Sequence, residues 1–185
     1  NYTLNDKNRV YVSSYLGKDV FTLGGSTSFR PDFRWGNITN TIRWNHVFNN
    51  KLFVNTSLIY SNYDYRLALG FKDFAFDWES NLQDYSLKLD FDYFLNDKNT
   101  VTFGVSSTFH LIDPGKVELV TAGETATGRI SKNRALDHAI YISNEQVLNE
   151  KLTLGYGVRL AAFQNIGQGV LYEFNDEFQR TDSIG

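Results

Sequence analysis

The chain has 185 residues and 21.2 kDa, with 18 basic and 21 acidic side chains, a net charge of −3 and a pI near 5.6. That is one domain's worth of chain, and its slight acidity excludes the basic face of a nucleic-acid binder. No apolar run is longer than those at 139–142 and 160–163, far too short for a membrane-crossing helix, and the absence of cysteine excludes disulfides, thiol chemistry and cysteine-held metals. Residue 1 is not Met and no signal-peptide layout opens the sequence, so a mature or excised piece is expected.

The elements are strands, because apolar residues recur at every second position. A stub at 1–4 leads into Leu4-Asn5-Asp6-Lys7-Asn8 and a strand over 8–22. A loop at 23–33, marked by Gly24-Gly25 and Pro31, precedes a strand over 34–48, where Ile38, Ile42, Trp44 and Phe48 alternate with polar residues. Phe48-Asn49-Asn50-Lys51-Leu52 opens a strand over 51–69, and a loop at 70–77 follows. The strand over 78–95 has the cleanest alternation: Tyr85, Leu87, Leu89, Phe91 and Tyr93 against Ser86, Lys88, Asp90 and Asp92. Leu95-Asn96-Asp97-Lys98-Asn99 turns the chain into a strand over 100–112, and Pro114-Gly115 opens a loop over 113–133. A strand over 134–148, the motif Leu148-Asn149-Glu150-Lys151 and a strand over 151–166 complete the order, with a loop from 167 onward. The four related motifs read as tight turns, since Asn and Asp tolerate left-handed backbone and bond their own main chain.

Most of these strands exceed the usual ~5–6 residues and match the ~9–11 that a tilted strand needs to cross a bilayer. Short turns at one end and long loops at the other complete the pattern of an antiparallel up-and-down transmembrane β-barrel segment, with seven or eight strands. Leu89, Phe91, Val105, Leu154 and Val158 are expected to face lipid. Arg43, Lys88, Asp90, Asp92, Asp137, Glu145 and Arg159 form the opposite, lumen-facing wall, whose mixed charges suit a hydrated surface against a globular plug. Tyr63, Tyr65 and Trp78, near the loop end, are the candidate cargo contacts. Two other architectures fit the period: a self-contained small outer-membrane barrel with a structural or adhesion role, and a soluble lipocalin-like binding barrel.

Chemical constellations are sparse. His46, His110 and His138 lie on different strands without metal-ligand spacing, although Asp113 follows His110 by three. Asp90 and Asp92 share a strand face, but Lys88 continues that row, as a solvated wall would. No Gly-x-Ser-x-Gly, HExxH or phosphate loop occurs. The sequence therefore gives no catalytic residue, no cofactor and no metal, and the chain is read as a non-enzyme.

Asn8-Arg9-Val10-Tyr11-Val12-Ser13-Ser14-Tyr15-Leu16-Gly17-Lys18-Asp19-Val20-Phe21 resembles barrel sequence of Bacteroidetes-type TonB-dependent outer-membrane receptors. So do Trp35-Gly36-Asn37 with Ile42-Arg43-Trp44-Asn45-His46-Val47-Phe48, the run Ser57-Leu58-Ile59-Tyr60-Ser61-Asn62-Tyr63-Asp64-Tyr65, Asp113-Pro114-Gly115, and Ala139-Ile140-Tyr141-Ile142-Ser143-Asn144-Glu145. The resemblance implies about a third of a 22-stranded barrel, with short turns in the periplasm and long loops outside. It implies active nutrient uptake in the bacterial outer membrane, with cargo unspecified. The partners it implies are outer-membrane lipid, a plug domain and TonB reached through chain outside these residues, and a surface lipoprotein. No plug, TonB-interacting segment or closing strand is present in the sequence, so residue 1 is expected inside a strand and residue 185 inside an extracellular loop.

Overall fold

The computed structural model describes residues 1–23, 29–167, 171–175 and 180–184. Eleven strands form among them: β1 (Tyr2–Asn5), β2 (Asn8–Thr22), β3 (Phe29–Asn49), β4 (Leu52–Phe71), β5 (Phe74–Asn96), β6 (Asn99–Thr121), β7 (Glu124–Arg129), β8 (Asn133–Asn149), β9 (Leu152–Ile166), β10 (Leu171–Phe174) and β11 (Arg180–Ile184). The first nine make one antiparallel up-and-down sheet in the order β1-β2-β3-β4-β5-β6-β8-β9, with β7 paired to the outer part of β6. β10 and β11 form a separate hairpin. Among the described residues the sheet is open, since β1 pairs only with β2 and β9 only with β8.

The four motif turns are built alike. In each, the amide of the lysine donates to the preceding Asn Oδ1: Lys7 to Asn5 at 3.0 Å, Lys51 to Asn49 at 2.8 Å, Lys98 to Asn96 at 3.0 Å and Lys151 to Asn149 at 2.9 Å. This Asx bond replaces a ladder bond at the reversal. The turns are also stitched sideways. The carbonyls of Lys7, Lys51 and Lys98 accept from Val47, Phe94 and Val147, each just ahead of the next turn.

The other end departs from the expected loops. Residues 70–77 are two strand ends joined by a two-residue turn in which Lys72 takes φ 50°. Residues 113–133 hold the outer part of β6, a tight turn and β7. Ala122 and Gly123 both take positive φ there (50° and 88°), as a type I′ hairpin turn requires. β3 begins at Phe29, so part of the expected 23–33 loop is strand as well, while the Gly24-Gly25 signal lies outside the described residues. Part of the expected loop from 167 onward forms β10 and β11. Thus the two ends of the sheet differ in how far the hairpins reach. β5 and β6 have 23 residues each, roughly 75 Å of strand.

A bulge sets the geometry of this outer part. Asn81 opposes Asp113 and Glu79 opposes Lys116, so β6 carries one extra residue there. Gly115 sits in the bulge at φ +99°, and a Cβ on it would collide with the carbonyl oxygen of Glu79. Trp78 Nε1 donates to Pro114 O at 2.7 Å and Ser80 Oγ to Asp113 O at 3.0 Å, using two carbonyls that the bulge displaces from the ladder.

The sheet has no second layer. No strand outside it contacts either face among the described residues, and the buried apolar side chains there are only Val54, Ala135 and Ala139. Val12, Leu16, Leu58, Val105, Ile140, Val158 and Leu160, all on one face, stand 45% to 75% exposed.

Gly115→Ala is expected to destabilise the β6–β7 hairpin by more than Gly123→Ala. Both lose a left-handed backbone that costs a Cβ-bearing residue ~1–2 kcal/mol, but nothing lies near the Cβ position at Gly123. Denaturant midpoints, with limited proteolysis of 116–129, check the order; equal losses would remove the collision from the account.

Candidate functional site

Register gathers the seven wall residues onto one face. Arg43 opposes Ser57, which opposes Lys88; Asp90 opposes Gly104, which opposes Tyr141, which opposes Arg159. Asp92 opposes Thr102, Asp137 opposes Thr108, and Glu145 opposes Thr100. The centre of this wall is a joined cluster. The Tyr141 hydroxyl donates to Asp90 across Gly104, whose missing side chain leaves room for the ring. Lys88 pairs with Asp90 at 3.0 Å, and Lys88 and Arg159 lie 5.9 and 5.5 Å from the centre of the Tyr141 ring. Cations against an aromatic face are attracted by its quadrupole. Arg43 donates to Ser57 at 3.4 Å and Thr102 to Asp92 at 2.7 Å, whereas Asp137 and Glu145 form no ion pair among the described residues.

His110 and Asp84 lie in the same wall, 2.7 Å apart, a pair that the sequence spacing does not announce because they sit on different strands. Among the described residues no group of three His, Asp or Glu side chains forms a metal-ligand set.

Tyr63, Tyr65 and Trp78 continue this face toward the outer end. Tyr65 and Trp78 meet edge to face, with centroids 5.5 Å apart. Trp78 has its N–H committed to Pro114 O, so its ring is left as an apolar surface. Around them, Trp35 opposes Tyr65, Phe33 opposes Leu67, and Leu69 opposes Phe76. Sequence reasoning missed how much of this wall is apolar.

The cause is a reversal of phase. Below it, on β3, β4 and β5, the face opposite the wall is apolar: Ile42, Leu58 and Leu87 lie in one cross-strand row. Farther out, the same face carries Arg34, Arg66 and Glu79 in one row, while the wall face carries Trp35, Tyr65 and Trp78. No bulge interrupts the β3–β4 ladder between Val47 and Phe29, so the polarity itself changes sides. The signal was present in Asp32-Phe33-Arg34-Trp35 and Phe76-Asp77-Trp78-Glu79, which alternate out of step with Tyr85 to Tyr93. On β6 the bulge keeps step with the change: the extra residue places Lys116 opposite Glu79 and Val117 opposite Trp78.

Asp113 fastens the outer hairpin. It meets Lys132 Nζ at 2.9 Å and Arg129 Nη2 at 3.2 Å, and accepts from the Gly115 amide at 3.1 Å. The Lys132 contact above all holds its carboxyl below the usual 3.8, against a smaller opposing effect of burial.

Comparison with known proteins found no matching family model, no similar curated protein and no similar solved structure.

Because the Asp113 value is depressed on folding, its contribution is complete above the unfolded value of 3.8 and is lost as pH falls through the lower, folded value. Protease cutting within 116–132 is therefore expected to rise as the medium is acidified below about 4. In Asp113→Asn the hairpin should be cut readily at neutral pH, with little further change on acidification. An unchanged pH profile in the variant would remove Asp113 from this role.

Proposed function

We propose that this chain is barrel wall from an outer-membrane receptor of the TonB-dependent type, working in active uptake of a nutrient. The observation that carries the membrane part is the phase reversal: one face is apolar over a limited height and charged beyond it. On β5 the apolar stretch from Tyr85 to Tyr93 spans roughly 27 Å of strand, or about 20 Å after the tilt usual in such barrels, close to the ~25 Å apolar band they present to lipid. Strands of roughly 75 Å are longer than the whole bilayer, so the outer hairpins stand in water. There the outward face is charged and the inward face is free to be aromatic. A soluble sandwich or lipocalin-like barrel would turn its apolar face inward along its full length, and among the described residues no second layer covers that face.

The TonB-dependent part is supported by the sequence resemblance over 8–21, 35–37, 42–48, 57–65, 113–115 and 139–145. In this reading the Arg43, Lys88, Asp90, Asp92, Asp137, Glu145 and Arg159 wall faces a plug, and cargo meets Tyr63, Tyr65 and Trp78 at the outer mouth. The free edges of β9 and of β2 beyond Val10 would be paired by further barrel strands, because unpaired backbone is not tolerated in lipid. A self-contained small barrel would instead need those two edges to meet, and they do not pair among the described residues.

Leu89→Arg and Val158→Arg should each cost roughly 2–4 kcal/mol in a folding titration into lipid vesicles. Thr102→Arg and Ser106→Arg, on the opposite face, should be mild. Equal costs on both faces would overturn the lipid assignment. In intact cells carrying the whole source polypeptide, an impermeant amine label should reach Lys116 and spare Lys98; labelling of Lys98 alone would invert or abolish the orientation.

A further inference from the structure

Just beyond the apolar band, on the same face, lies an open groove of about 700 Å³. Its lower lip is the directly opposed pair Leu16 and Ile38, the last apolar pair of the band on β2 and β3. Its upper lip is one cross-strand row, Arg34-Arg66-Glu79-Lys116-Arg129, running over five strands. Arg34 directly opposes Arg66, and Lys116 directly opposes Arg129. Like charges placed opposite one another destabilise a sheet unless something answers them. Part of the answer comes from farther out. Arg34 gives Nε and Nη2 to Asp32, Arg66 pairs with Asp77, and Lys116 meets Glu118 at 2.9 Å. Those carboxylates form the next row outward, so they hold the cations from the side away from the lip. Arg34 and Arg66 each keep Nη1 uncommitted among the described residues. Between the two lips runs the row Lys18-Gly36-Asp64-Asn81-Asp113. Asp64 accepts from Asn62 and Asn81, and Asp113 is held by Lys132 and Arg129, whereas Lys18 forms no ion pair among the described residues and stands beside Gly36, whose missing side chain opens the groove.

We infer that this groove binds the phosphate headgroup of a membrane lipid, with the acyl chains lying down the apolar face past Leu16 and Ile38. The inference rests on the membrane reading above and adds a specific ligand to it. Lys18 lies two residues beyond Leu16, roughly 7 Å along the strand, and Arg34 four beyond Ile38, roughly 14 Å. That is the depth at which headgroups replace hydrocarbon. Guanidinium donors left over from a carboxylate suit a phosphate oxygen well, and a free anion would gain nothing from the apolar lip.

The test uses the intact source polypeptide in nonionic detergent and native mass spectrometry. Phosphatidic acid should stay bound where diacylglycerol with the same chains does not, and an equal concentration of inorganic phosphate should not displace it. Lys18→Gln and Arg34→Gln should each weaken retention about fivefold, the usual loss per basic residue at an anionic lipid surface. Lys18→Gln breaks no ion pair, so it reads the site even if the Arg34 variant folds poorly. Equal retention of the two lipids, displacement by inorganic phosphate, or unchanged retention in Lys18→Gln overturns the inference. A polypeptide that enters vesicles without preferring phosphatidic acid fails only this inference, whereas one that stays soluble without detergent and takes up no lipid overturns the membrane reading as well.

Discussion

The antiparallel ladders from β2 to β9 preserve side-chain parity from one strand to the next, and every surface on this sheet follows from that. A slip of one residue in any ladder would move a whole strand's side chains to the opposite face. The irregularities fall where they do no such harm. Those between Thr3 and Asn5, Val47 and Asn49, Phe94 and Asn96, and Val147 and Asn149 all sit at the turns. The one exception, between Glu79 and Asn81, keeps Lys116 on the charged side and Val117 beside Trp78.

Parity alone yields two faces; the chemistry comes from what each face carries at each height. A half-exposed leucine or valine is unremarkable singly, but here such residues recur on one face of seven strands, interrupted by Ser14, Asn40, Ser107 and His138, and among the described residues no strand outside the sheet packs on them. Burying that surface would be worth roughly 25 cal/mol per Å². The opposite face solves a different problem. Part of its charge is answered by neighbours, as in Lys88-Asp90-Tyr141-Arg159, while Asp137 and Glu145 form no ion pair among the described residues.

The outer hairpins combine these two surfaces in reverse. The side that is apolar lower down here carries the charged rows of Asp32, Arg34, Arg66, Asp77 and Glu79, in which Arg34 pairs with Asp32 and Arg66 with both Asp77 and Glu79. Trp35, Tyr65 and Trp78 turn the other way. Asp113-Pro114-Gly115 is the pivot, because β6 leaves β8 and takes β7 as its partner at that point. The reach of the outer hairpin therefore depends on a three-residue corner.

Much of this was legible in the residues. Period-two alternation from Tyr85 to Tyr93 gave strands, and the recurring Asn and Lys motifs located four turns, since both signals are local. The seven wall residues could be assigned to one face by counting, because parity is a property of each strand alone. The sequence reading stopped too early at the outer end. It makes loops of 70–77 and of the stretch that Pro114-Gly115 opens, where the chain continues as strand through two-residue turns and a bulge. Nothing local shows that Lys72 and Ala122 will accept left-handed backbone to close those hairpins. Only pairing decided the rest: that Asp84 meets His110, that Tyr141 crosses Gly104 to Asp90, and that Arg34 stands opposite Arg66. Those contacts join residues up to 51 apart in sequence, and register between strands, which no single strand's pattern contains, is what brings them together.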